Sequence, residues 1–106
     1  MTMAWVYLLF AGILECVWAV ALKYTAGFTR IVPVMITVVA NVASVALLAL
    51  AVRKIPLGGA YAIWTGIGVV GTVCAGIFLF AENFSIAKAV CLTMIVGGIV
   101  GLRLLN

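Results

Sequence analysis

Where this chain carries no charge constrains it more than anything else in its sequence. Residues 31–52 and 60–81 contain no Asp, Glu, Lys or Arg. Residues 3–22 contain a single charge, Glu15, and residues 85–104 carry only Lys88 and Arg103. Each run is about as long as the roughly 20 residues that cross a bilayer as a helix. Lipid offers no partners to backbone N–H and C=O groups, so a spanning segment must be a helix or part of a closed barrel. Period-2 alternation is absent, and four strands are too few to close a barrel. The pattern predicts an all-α membrane protein with helices over residues 3–22, 31–52, 57–81 and 85–104, in a single transmembrane domain over residues 1–106.

Composition excludes the alternatives. The chain is 69% apolar and 8% charged, whereas a soluble domain is about a quarter charged. Four helices take about 80 of the 106 residues. That leaves no room for a nucleotide-binding domain, and four helices are few to enclose a pathway, so an oligomer is expected. Pro33 falls in the first turn of the second helix, where a missing N–H costs little. The first segment lacks the basic n-region of a cleavable leader and holds Glu15 in its apolar stretch. Cys16, Cys74 and Cys91 each lie in an apolar run and read as free thiols packed among helices. The chain has no histidine, so neither a Cys/His metal cluster nor a cofactor is expected.

The net charge is +4, but the basic residues are scattered one or two per loop, which is a membrane-flank pattern and not a nucleic-acid surface. Their distribution is even. Lys23, Arg30 and Lys88 fall at one membrane face, and Arg53, Lys54 and Arg103 at the other. The excess of Lys and Arg that normally marks the cytoplasmic side is missing. Insertion in both orientations, with antiparallel pairing, is one reading; a charge counted on the wrong side at a helix edge is the other.

Glu15 is the residue that asks for a function. It lies about 18 Å along the first helix at 1.5 Å per residue, near mid-membrane, where a carboxylate costs about 2.5–3.5 kcal/mol. Either the group keeps a proton or something offsets its charge, so it reads as a proton or cation site. Gly12 and Trp18, at i−3 and i+3, share its face. Glycine makes room there, and an aromatic plane beside a carboxyl suits a flat or soft cation. Tyr61, Trp64 and Gly68 share one face of the third helix, and both aromatics carry a hydrogen-bond donor that could serve Glu15. Asn41 and Ser44 stand one turn apart on the second helix. Ser44 could donate to the carboxyl or to its own helix. Gly97 and Gly101 form a small-residue pair at i, i+4 on a fourth helix with no polar group for a site, which reads as an association surface.

Several stretches carry a resemblance. They are Ala11-Gly12-Ile13-Leu14-Glu15-Cys16-Val17-Trp18-Ala19, then Leu22-Lys23-Tyr24 and Gly27-Phe28-Thr29-Arg30, and above all Pro56-Leu57-Gly58-Gly59-Ala60-Tyr61-Ala62-Ile63-Trp64-Thr65-Gly66-Ile67-Gly68. Over its whole length the chain resembles the small multidrug resistance family of bacterial transporters. Within it, Trp18 and Ser44 match the guanidinium exporter subtype. The resemblance implies a proton-coupled antiporter, not an enzyme, that exports guanidinium and small substituted guanidinium cations across the bacterial inner membrane. It also implies an antiparallel homodimer of dual topology. By the same resemblance Glu15 is the shared proton and substrate site, flanked by Trp18. Ser44 and Trp64 are hydrogen-bond partners, Tyr61 is a switch, Gly66 and Gly68 mark a bend, and the fourth helix dimerises. Asn41 and Ala81-Glu82-Asn83 depart from the family pattern. A quaternary ammonium exporter of the same family is the nearest alternative. A proteolipid-type proton-carrying subunit is a more distant one.

Overall fold

The structure, a computed structural model, describes residues 2–105. Its helices are α1 (Thr2–Tyr24), α2 (Ile31–Ala51), α3 (Leu57–Phe80) and α4 (Ile86–Leu105). All four are long and apolar enough to cross a membrane. They form a slab of 41 × 34 × 17 Å. α1 lies between α2 and α3 and packs closely on both, while α4 docks mainly on α3 and reaches α1 through Arg103, whose guanidinium lies 4.4 Å from the centroid of the Trp5 ring.

Small side chains explain the close α1–α2–α3 layer. Ala4, Leu8 and Ala11 follow one another at i, i+4 and i+7 on α1 and are buried, as are Thr37, Ala40 and Ser44 on α2. Without bulky side chains the backbones approach, which is the usual way helices associate in lipid. Gly12 seats the Ile67 side chain of α3, and Gly66 of α3 seats Ile99 of α4. No residue of α4 is buried. Its Ile86, Val90, Met94, Val100 and Leu104 are exposed.

The connections are short and self-satisfied. After α1, the Thr25 hydroxyl donates to the Leu22 carbonyl at 2.6 Å and accepts from the Phe28 amide at 3.3 Å. Ala26, Gly27 and Phe28 all take positive φ there. Pro56 caps the start of α3. Ser85 stands outside α4 as its cap, accepting from the Lys88 amide at 3.2 Å. α3 ends on Ala81 in the left-handed region, which folds the chain back so that the Glu82 amide donates to the Gly76 carbonyl at 3.1 Å. α3 is helical without a break from Leu57 to Phe80, through Gly66 and Gly68. Cys16 lies between α1 and α3, but Cys74 and Cys91 are exposed. These two are therefore not enclosed among the helices of the single protomer.

Candidate functional site

Glu15 sits where α1 crosses α3. Its Cγ, Cδ and Oε1 lie against Gly68, and a methyl group at that position would overlap the carboxyl. Glycine leaves the room the carboxyl occupies here, and a side chain at this position would displace the end of Glu15. One turn earlier Gly12 meets Ile67, and beside the carboxyl the Cys16 sulfur lies over Gly71. The Cys16 thiol points at the Ile67 carbonyl, 3.5 Å away. The seam that holds Glu15 is therefore built from Gly12, Gly68 and Gly71, one from α1 and two from α3.

Glu15 Oε1 is buried with no hydrogen-bond partner among the described residues. The Trp18 indole N–H, one turn further along α1, is in the same condition, and so is the Thr65 hydroxyl of α3. Buried polar atoms are normally partnered, and orphaned ones call for an explanation. A ligand that donates to Glu15 would supply one for the carboxyl.

Ser44 and Trp64 are drawn together, although neither reaches the Glu15 carboxyl. Ser44 is fully buried, and its hydroxyl donates to the Ala11 carbonyl of α1 at 2.6 Å. Trp64 Nε1–H donates to Ser44 Oγ at 2.9 Å and also approaches the Ala11 carbonyl at 3.2 Å. Ala11 is one turn before Glu15, and its carbonyl is the one that Glu15's own amide bonds in an α-helix. The expected side-chain bonds to the carboxyl are replaced by bonds to the backbone beneath it. Ser44 and Trp64 therefore pin the turn of α1 that carries Glu15, from α2 and α3 respectively.

Tyr61 is more peripheral. It is exposed, and its ring stands against Trp64 with centroids 5.5 Å apart at 53°. Asn41 is half-buried one turn from Ser44. Gly97 and Gly101 lie outside the cluster, and a methyl at either would touch no atom of the chain. Three contributors were not singled out from sequence. The Ala11 carbonyl is a backbone group, so no residue type announces it. Cys16 looked like a packing residue. Thr65 did carry a signal, because it shares the face of Tyr61 and Gly68 at i+4 and i−3 from them.

Comparison with known proteins shows the family. The family model described as Small Multidrug Resistance protein matches residues 3–95. A protein of Citrobacter freundii named guanidinium exporter is 53% identical over 102 residues, covering 96% of this chain and 97% of its own. A guanidinium exporter of Yersinia pseudotuberculosis serotype I is also 53% identical, with 96% and 98% covered. One of Salmonella typhimurium is 55% identical, with 96% and 97% covered. With four membrane-spanning helices and a family match that covers the first three and half of the fourth, this chain is a multi-pass membrane protein of the small multidrug resistance family.

Proposed function

We propose that the chain is a proton-coupled exporter of guanidinium and small substituted guanidinium cations, working as an antiparallel homodimer. The observation that carries this reading is the buried, unpartnered carboxyl oxygen of Glu15, one helical turn from the Trp18 ring. Guanidinium is planar, with forked N–H donors that match a carboxylate in bidentate fashion, and its face suits an aromatic wall. The names of the similar exporters support the same substrate class.

A carboxyl can hold a proton or the cation, but not both, so the two compete for Glu15. If the dimer reorients only when Glu15 is protonated or loaded, protons moving in drive guanidinium out. Ser44 and Trp64 keep the Glu15 turn fixed while its ligand changes. Tyr61, exposed at one end of α3 and stacked on Trp64, is placed to follow reorientation. Gly66 and Gly68 supply the points at which α3 bends. The open glycine face of α4, at Gly97 and Gly101, supports pairing through that helix. The even split of basic residues supports insertion in both orientations. Small flat cations fit better than bulky quaternary ammonium ions, because Trp18 fills the space one turn from the carboxyl.

The test is guanidinium flux by purified protein in liposomes under an imposed pH gradient. The wild type accumulates guanidinium against its gradient and discriminates against a tetraalkylammonium ion. Glu15→Gln, which mimics a permanently protonated carboxyl, falls to the background of empty liposomes. Because protons compete for the same oxygen, raising the pH on the loading side lowers the apparent KM for guanidinium. Proton-driven flux by Glu15→Gln at a rate near that of the wild type defeats the proposal.

A further inference from the structure

The chain has two acidic residues, Glu15 and Glu82, and the structure treats them alike. Glu15 lies on Gly68, and Glu82 lies on Gly76 of the same helix; at either glycine an added methyl would overlap the carboxyl. Gly68, Thr72 and Gly76 follow one another at i, i+4 and i+8 on a slowly turning face of α3. The two glycines are about 12 Å apart along the axis. Between them the Thr72 hydroxyl donates to the Gly68 carbonyl at 2.7 Å. Glu82 belongs to a loop by sequence, but it is not loosely held. Left-handed Ala81 turns it back, and its amide donates to the Gly76 carbonyl at 3.1 Å.

The far carboxyl already holds a cation. Lys23 Nζ stands 3.4 Å from Glu82 Oε2 and 4.8 Å from the centroid of the Phe80 ring. Tyr24 braces that ring, with centroids 5.3 Å apart. Lys23, Phe80 and Glu82, together with Ala19, Thr72 and Gly76, line a cavity of about 350 Å³. A carboxylate, an aromatic face and a cavity around a tethered ammonium make a cation site occupied by a residue of the chain itself.

We propose that Glu82 and Phe80 form a second cation station at the end of the α1–α3 seam, which a guanidinium-type cation occupies by displacing Lys23. This rests on the export reading above and deepens it. Both Lys23 and Glu82 are about half exposed, and such a pair is worth about 0–1 kcal/mol, so an incoming cation displaces Lys23 at little cost. Guanidinium gains what ammonium does not, a bidentate fit to the carboxylate and a planar stack on Phe80. Conduction through a narrow path needs stations that bind weakly enough to release. Lys23 provides that release, because it returns to Glu82 once the cation moves on. In an antiparallel dimer the two copies would place one station at each membrane face.

The experiment compares initial guanidinium flux in proteoliposomes for the wild type, Glu82→Gln and Lys23→Met. The station predicts opposite effects. Glu82→Gln raises the KM for guanidinium about three- to fivefold, whereas Lys23→Met, which frees the carboxyl, lowers it by a similar factor. If the pair only clamps the α3–α4 loop to α1, both variants break the same clamp and shift KM in the same direction, which overturns the proposal. An unchanged KM in Glu82→Gln overturns it too. Wild-type flux in the same assay keeps the parent reading separate: a wild type that transports beside a Glu82→Gln of unchanged KM loses only the station, and a silent wild type loses both. A second measurement removes the central site altogether. In Glu15→Gln, titration with guanidinium chloride shifts the backbone amide resonances of Gly76 and Glu82, and Glu15→Gln/Glu82→Gln abolishes that shift. No shift in the first protein rejects the station.

Discussion

At the residue scale, Ser44 and Trp64 do something different from what their chemistry first suggests. Both carry donors that could reach a carboxyl, yet Ser44 donates to the Ala11 carbonyl, and Trp64 shares its N–H between that carbonyl and the Ser44 hydroxyl. Ser44→Ala removes the donor to Ala11 and the acceptor for Trp64, leaving the indole only its 3.2 Å approach to the carbonyl. Interhelical hydrogen bonds in membrane proteins are worth about 0.6 kcal/mol on average and reach about 1.7. A loss of about 1 kcal/mol in unfolding from detergent is expected, together with reduced flux because the Glu15 turn is less well fixed. Gly68→Ala tests the same site sterically. Its methyl occupies the carboxyl's place, so flux falls steeply while the helices stay assembled, which circular dichroism and dimer elution check. Glu15, Trp18 and their glycine surroundings were legible in the sequence, because a charge in an apolar run has few explanations. The hub at Ala11 was not, since the atom that matters is a carbonyl shared by every residue. Glu82 was legible only as a loop residue, because its role depends on Ala81 folding it onto Gly76.

At the scale of elements, α3 joins α4 to the α1–α2 pair. One face meets α1 through Ile67, Gly68 and Gly71, and the opposite face receives Ile99 of α4 at Gly66. The glycines of α4 have no such role within the chain, since a methyl at Gly97 or Gly101 would meet nothing. That difference separates two kinds of glycine substitution. Gly66→Leu drives a side chain into Ile95 and Ile99 and detaches α4 from α3, lowering thermal stability in detergent. Gly97→Leu/Gly101→Leu leaves the protomer's own packing untouched and shifts elution from dimer toward monomer. Equal losses of protomer stability in the two variants contradict this division. The four helices were legible from charge spacing alone. Their ends fall within two residues of the expected bounds, although the stops themselves rest on backbone geometry at residues that do not advertise it. Ala26, Phe28 and Ala81 take positive φ where glycine would be the usual signal.

At the scale of the whole molecule, the slab is too thin to surround a pathway. With a shortest extent of 17 Å, it is little more than one layer of helices, each about 10–12 Å across. The Glu15 seam lies between two of them, so an enclosed route needs a second copy. Lys23, Arg30 and Lys88 stand at one end of the helices, and Arg53, Lys54 and Arg103 at the other. With no excess at either end, the charge bias that orients a chain during insertion is absent, as the proposed antiparallel pairing requires. A bias added by mutation therefore breaks function without touching the site. Gly58→Lys with Arg30→Ala makes the count four at the Arg53 end against two. Phe84→Lys with Arg53→Ala makes the opposite bias. Position 58 has open space around its Cβ, and Phe84 is exposed, so neither lysine disturbs packing. Each biased protein alone inserts one way, cannot form the antiparallel pair, and gives cells little protection against guanidinium. Expressed together, the two biased proteins insert oppositely, pair, and restore protection. If either biased protein alone protects as well as the wild type, the functional unit does not require opposite orientations, and the even charge count has another cause.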